Sequence, residues 1–291
     1  MREIKIKNVN WLHLTNPEKA DIEDIKKKYP EIHNVILEEI MSATVRPRVE
    51  DYNGVLFMVL HFPRFIQKSK KTISHEIDFI LLKDTLITVQ YDDNTLLEHF
   101  WHENKDDTIE DHYSRNPLHF LYYLLRGYFV FLLKELDQIQ SKIDSIEEKV
   151  FAEKEKEVVK DISLLRRSIL DFRRNIKPQQ VTLDSLAIRG VETYGSSMRP
   201  LLNDLVGEYL KVWNLLENHK ETLDALYESN NSLLTIKTNE SVRNLNLFAL
   251  MTFIPMTIAA IYGMNVFGAP LTGRPDSFWQ VITLIAAITI F

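Results

Sequence analysis

Between Asn244 and Gly273 the chain carries no Asp, Glu, Lys or Arg, although 26% of its residues are charged. A stretch that long and apolar has few stable outcomes, because a helix buried in a water-soluble core normally keeps a polar face. Leu245 to Tyr262 supplies 18 uncharged residues, close to the ~20 needed to cross a ~30 Å hydrocarbon core. Phe278 to Phe291 is a second uncharged run of 14 residues, which reads as a second span cut short. The expectation is therefore an α/β cytoplasmic domain plus long helices and two transmembrane helices, the second truncated: a helix-rich membrane protein.

Working backwards from the apolar run, no convincing breaker appears until Pro200, so Pro200 to Tyr262 reads as one helix of 63 residues, about 95 Å long at 1.5 Å per residue. Ser196, Ser197 and Pro200 suit its start. Its first two thirds are amphipathic and acidic (Glu208, Glu217, Glu221, Asp224, Glu228), and its last third is apolar. A stalk that begins in water is thus expected to end in lipid. Lys237 and Arg243 precede the span and the connection to the second run is short, which by the positive-inside rule places the large N-terminal part in the cytoplasm. Asn246, Thr252 and Thr257 inside the span are costly against lipid and argue for an interior or water-lined face. Pro255 is tolerable because membrane helices re-satisfy the lost hydrogen bond.

Residues 1–116 mix two periods. PEKADIEDIKKKY and EIHNVILEEIM have helical spacing, whereas VLFMVLHF and IDFILL, Lys83-Asp84, TLITVQY read as strands, the last two joined by a hairpin turn. Within 117–195, Pro117 to Lys177 carries two long amphipathic helices, an antiparallel pair, after which Pro178, Gly190 and Gly195 interrupt the helical signal. The start, MREIKIKNVNW, is charged and alternating and lacks the apolar core of a secretory signal. The remaining segments are the stalk and first span (196–262, with the span at about 245–262), an outer loop (263–277) and the start of the second span (278–291).

Several function classes fall away. A net charge of −6 gives no basic surface for nucleic acid. Zero Cys removes disulfides and thiolate metal sites. No GxGxxG, GxxxxGK[ST] or GxSxG is present, so neither a nucleotide nor acyl-transfer chemistry is indicated, and no acid-base or nucleophile constellation marks an enzyme. His99 and His102 with Glu98 and Glu103 lack an HExxH arrangement and read as a solvated helix face. Asp92-Asp93-Asn94 reads as a strand end and helix cap.

Three stretches carry a resemblance: Tyr262-Gly263-Met264-Asn265; Thr238-Asn239-Glu240, on the same helix 26 residues before Asn265 as counted from Asn239; and VILEEIMSATVRPRVEDYNGVLFMVLHF with the strands that follow. Together they resemble the CorA family of divalent-cation transporters over essentially the whole chain. The resemblance implies a homopentamer in the cell (inner) membrane, multi-pass, with the stalk helix of each subunit lining one central pore and the second span forming an outer ring. It implies Gly263, Met264 and Asn265 as the selectivity motif and a pore face of Asn239, Val242, Leu245, Asn246, Ala249, Phe253 and Thr257, with Val242 and Leu245 at the apolar constriction and Asn239 as its polar ring. It further implies Glu39 and Asp204 as acids that bind regulatory cytosolic Mg²⁺ between subunits, Glu39 standing where the family often has Asp.

The chemistry of the motif agrees. Mg²⁺ dehydrates reluctantly and prefers octahedral oxygen ligands, so neutral Asn265 carbonyls can accept hydrogen bonds from its water shell, whereas a carboxylate ring would hinder release. Gly263 is expected to let the backbone turn there. The outer loop VFGAPLTGRPDS offers only Asp276, beside Arg274, so cation enrichment at the entrance is weak and Co²⁺, Ni²⁺ or Zn²⁺ transport, as in the ZntB branch, stands beside Mg²⁺. The other function to be weighed is a membrane-anchored scaffold or sensor that conducts nothing.

Overall fold

The structure is a computed structural model, and it describes residues 1–44, 46–66, 71–92, 97–98, 100–101, 115–152, 155–264 and 276–290. The chain divides into two units, Met1–Tyr227 and Glu228–Phe291.

The first unit is built on a six-stranded sheet: β1 (Arg2–Ile6), β2 (Val9–Thr15), β3 (Arg48–Tyr52), β4 (Val55–Ile66), β5 (Lys71–Leu81) and β6 (Thr85–Gln90), in the order β1-β2-β6-β5-β4-β3. Only the β2–β6 pair is parallel. The β5–β6 hairpin turns at Lys83-Asp84, where the Leu82 N–H donates to the Thr85 carbonyl at 2.9 Å, as the sequence predicts. Both faces of the sheet are covered. That is why TLITVQ is buried at every position instead of alternating.

Helices α1 (Lys19–Lys28) and α2 (Asn34–Glu39) lie over one face, their Ile25, Ile36 and Leu37 packing with Leu12, Leu14, Phe57, Val59, Ile80, Ile87 and Val89. Residues of opposite parity face the other way: Trp11 meets Phe120 with ring centroids 5.2 Å apart, and Phe62 stacks on Tyr128 at 4.2 Å. Phe120 and Tyr128 belong to α3 (Pro117–Phe151), which starts where the Asn116 side chain accepts from the His119 N–H at 2.8 Å and Pro117 occupies the first turn.

Two further helices follow, α4 (Glu155–Ile176) and α5 (Gln179–Tyr194), then a 3₁₀ turn (Ser196–Met198) and α6, which runs unbroken from Arg199 to Tyr262. Within the first unit Tyr122 meets Asp204 and Leu136 meets His219, so α3 and α6 run parallel. Arg173 pairs with Glu217 at 2.7 Å and Arg166 with Asp224 at 3.2 Å, so α4 runs antiparallel to both.

One expectation changes. Residues 179–194 do not interrupt the helical region but form α5. Pro178 caps it, where a missing N–H costs nothing. Gly190 sits inside it because a Cβ there would lie 2.9 Å from Leu118 Cδ2 and 3.0 Å from Leu202 Cδ1.

The second unit comprises the rest of α6 and α7 (Ser277–Ile290). None of residues 245–262 is buried within the chain, and Leu245, Phe248, Phe253 and Met256 are each more than 60% exposed. Ser196–Tyr262 is long and apolar enough, by length and composition, to cross a membrane; Phe278–Ile288 is a shorter apolar helix. An apolar surface of this extent needs a cover other than water.

Candidate functional site

The sequence points to one face of α6, to the Gly263-Met264-Asn265 motif that follows it in the chain, and to the pair Glu39 and Asp204. Asn239, Val242, Asn246, Ala249, Phe253 and Thr257 follow one another at spacings of three and four inside α6 and so share one face, with Leu245 at its edge. Asn246, Ala249, Phe253 and Met256 line one shallow groove along the helix. Pro255 falls off that stripe, and the helix continues through it.

One reading of this segment needs revision. Thr252 donates its hydroxyl to the Phe248 and Ala249 carbonyls at 3.0 and 2.9 Å, and Thr257 donates to Phe253 at 2.8 Å. These donors are satisfied by their own helix, as Ser and Thr commonly are. They therefore do not require a water-lined face; of the three polar residues, Asn246 alone keeps that argument.

Gly263 stands in the turn that follows the end of α6, where the sequence predicts the backbone to turn. Its N–H still bonds to the Ala259 carbonyl at 2.9 Å, and a Cβ would stand 3.2 Å from that same oxygen. Its smallness lets the last turn close. Met264 continues the turn, its N–H 3.3 Å from the Ile261 carbonyl. Asn265 lies outside the described residues, as do His99, His102, Glu103, Asp93, Asn94 and Arg274. Glu98 pairs with Arg2 at 2.8 Å, and Asp92 pairs with His75 at 2.5 Å.

Glu39 ends α2 and is half-buried; its carboxylate is paired with the Arg48 guanidinium. Arg48 extends from β3 towards the same face of the sheet, lies over the buried Phe57 ring at 5.5 Å, and also approaches Glu50 at 3.6 Å. Asp204 is exposed near the start of α6 and accepts a 2.7 Å hydrogen bond from Tyr122. Burial together with that carboxylate pushes the Tyr122 phenol up to about 12.

Carboxylate oxygens are the ligands Mg²⁺ takes, so Glu39 and Asp204 fit the ion by type. Among the described residues no three His, Asp or Glu side chains gather into a metal cluster.

Behind Glu39 the same face carries acids that the sequence reading did not single out. Glu76 and Asp78, two apart on β5, are buried. Glu76 accepts from the Thr44 N–H at 2.7 Å and lies 3.0 Å from His61 Nε2; Asp78 accepts from the Tyr91 hydroxyl at 2.6 Å. Burial pushes the Asp78 carboxyl up to about 8, although the Tyr91 hydrogen bond works the other way. Burial opposes the charged form of His61, yet its bonds to Glu76 and to the Thr44 carbonyl raise it on balance. Alternation of polar residues in SHEIDF is the available signal, and it reads equally as a half-buried strand.

A doubly covered α/β domain followed by long helices, the last running into an exposed apolar segment, has by length and composition the architecture of a membrane protein with a large domain outside the lipid. The family model described as "CorA-like Mg2+ transporter protein" matches residues 7–291, and the chain belongs to that family. Its members are transporters of divalent cations in membranes, not enzymes.

Among similar proteins is the "Cobalt/magnesium transport protein CorA" of Thermotoga maritima, 26% identical over 268 residues, or 88% of this chain and 72% of that one. The complete structure of the CorA magnesium transporter from Methanocaldococcus jannaschii matches with a TM-score of 0.84 at 22% identity, covering 100% of this chain and 91% of that one. The cytoplasmic domain of ZntB from Vibrio parahaemolyticus matches with a TM-score of 0.65 at 11% identity over 79% of this chain and 89% of that one. At such identities these likenesses establish the fold.

Proposed function

We propose that five copies of this chain assemble around the Asn239–Thr257 face of α6 and conduct hydrated Mg²⁺ across the membrane. In this reading α7 begins the second span and forms an outer ring. The observation that carries it is a single helix that leaves the α/β unit, becomes charge-free and wholly unburied, and keeps Asn239, Asn246 and small or apolar residues on one face. An apolar surface without a core suits lipid on one side and neighbouring helices on the other.

Asn265 amides hold the ion through its water shell at the external entrance, so no full dehydration is needed. Inside, rings of Val242 and Leu245 close the path by dewetting. Glu39 of one protomer and Asp204 of its neighbour, bridged by cytosolic Mg²⁺, keep the pentamer closed; when the bridge is lost, the protomers splay and the apolar rings widen. The driving force is the membrane potential, ~2.3 kcal/mol per elementary charge per 100 mV and about twice that for a divalent ion.

The family description and the relative from Thermotoga, named for cobalt and magnesium, support Mg²⁺ with Co²⁺ as a second cargo; Ni²⁺ and Zn²⁺ complete the candidates. Purified protein in proteoliposomes tests the reading. Mg²⁺ uptake that Asn265→Ala abolishes, with competition among Co²⁺, Ni²⁺ and Zn²⁺ ranking the cargo, is the expected result. Absence of any divalent uptake would leave the non-conducting scaffold.

A further inference from the structure

We infer that Arg48 is a resident counter-cation at the regulatory acid, so that a cytosolic divalent ion binds Glu39 only in competition with the chain's own guanidinium, and the Arg48–Glu39–Glu50 arrangement sets the Mg²⁺ concentration at which the protein closes. This rests on the reading of Glu39 and Asp204 given above.

The geometry carries it in three ways. Arg48 is ion-paired with the same Glu39 carboxylate that the metal would use. It is also held in place from below: it lies over the Phe57 ring at 5.5 Å, and Phe57 is fully buried. A stacked guanidinium of this kind is not a freely waving side chain. Finally, Arg48 is shared. Its Nε lies 3.6 Å from Glu50 Oε1, and Glu50 in turn accepts from the Tyr52 hydroxyl at 2.7 Å.

The sign follows from charge. A fixed positive group beside a carboxylate offsets part of the field that attracts a divalent ion, and at separations of a few ångströms that repulsion outweighs any orienting benefit to a half-exposed Glu39. Glu50 acts in the opposite sense, because it draws part of Arg48's charge away from Glu39. A protein whose Glu39 stood alone would close at low Mg²⁺; with Arg48 opposite, closure waits for a higher concentration.

The test uses the full chain in detergent or nanodiscs, with MgCl₂ as the only added divalent salt and protection from chymotrypsin as the readout. Chymotrypsin is chosen because changing Arg48 would remove a trypsin site. Arg48→Gln is expected to lower the half-protecting Mg²⁺ concentration about tenfold, and Arg48→Lys, which keeps the charge, to stay within about twofold of the parent. Glu50→Gln is expected to raise it.

An unchanged or higher midpoint in Arg48→Gln overturns the inference; so does a shift in Arg48→Lys equal to that in Arg48→Gln, which would make the role one of shape. Should Arg48→Gln fail to fold, Glu50→Gln decides alone: a raised midpoint supports the inference and an unchanged one overturns it. The Glu39→Ala, Asp204→Ala double variant separates this from the parent reading. If it abolishes protection while the Arg48 and Glu50 variants shift nothing, the regulatory acids stand and the counter-cation falls; if protection survives it, both fall.

Discussion

A carboxyl group with no exposed surface, bonded by a phenol and set beside a second buried carboxyl, Glu76, is a stability lever that pH can move. Asp78 is such a group: Tyr91 donates to it at 2.6 Å, and burial pushes it up to about 8 from 3.8. The folded chain therefore keeps a proton between roughly pH 4 and 8 that the unfolded chain has released, so this group's contribution makes stability fall as pH rises through that window. The slope is at most about 1.4 kcal/mol per pH unit for one proton. His61, raised on balance by Glu76 and Thr44, acts in the same direction, since stability from a raised histidine is present at low pH and is lost as pH climbs. Asp78→Asn keeps an acceptor for Tyr91 and has no proton to lose. The melting temperature of the parent is expected to fall between pH 6 and 8.5, and that of Asp78→Asn to fall less, so that the variant gains on the parent with rising pH. Parallel curves for the two proteins would show that Asp78 does not titrate in this range.

At the scale of elements, α6 is two kinds of helix in one. From Arg199 to Tyr227 it buries a stripe that includes Leu202, Leu205, Tyr209, Val212, Leu216 and Leu223; beyond Leu245 nothing is buried and nothing is charged. An arginine at Met251, on the side away from the Asn246–Phe253 stripe, would face lipid and cost insertion about 2.5–3.5 kcal/mol. Carbonate extraction of membranes is expected to release most of the Met251→Arg protein and little of the parent; equal retention would mean that this segment does not span.

Most of this was legible in the sequence. The Lys83-Asp84 hairpin and the ends of the long stalk helix are legible in the sequence to within a residue or two. What escaped notice depended on tertiary neighbours. Gly190 looks like a breaker until Leu118 and Leu202 are seen against it, and Thr252 and Thr257 look like pore polarity until their hydroxyls are seen bonded to their own helix. Arg48 lies nine residues beyond Glu39 on a different element, and no local periodicity announces that pair.

For the whole molecule, membership of the CorA-like family gives a transporter, and the central claim is that ions pass along one face of α6. The chain has no Cys, so single cysteines can be placed without further engineering. The decisive measurement is divalent uptake into proteoliposomes before and after a charged, membrane-impermeant thiol reagent, with cysteine at Asn246, Ala249 or Phe253 on the stripe and at Met251 or Ile258 on the opposite side. Block is expected at the first three positions and none at the last two; block that ignores the face, or uptake that no position affects, would rule out a path along this stripe.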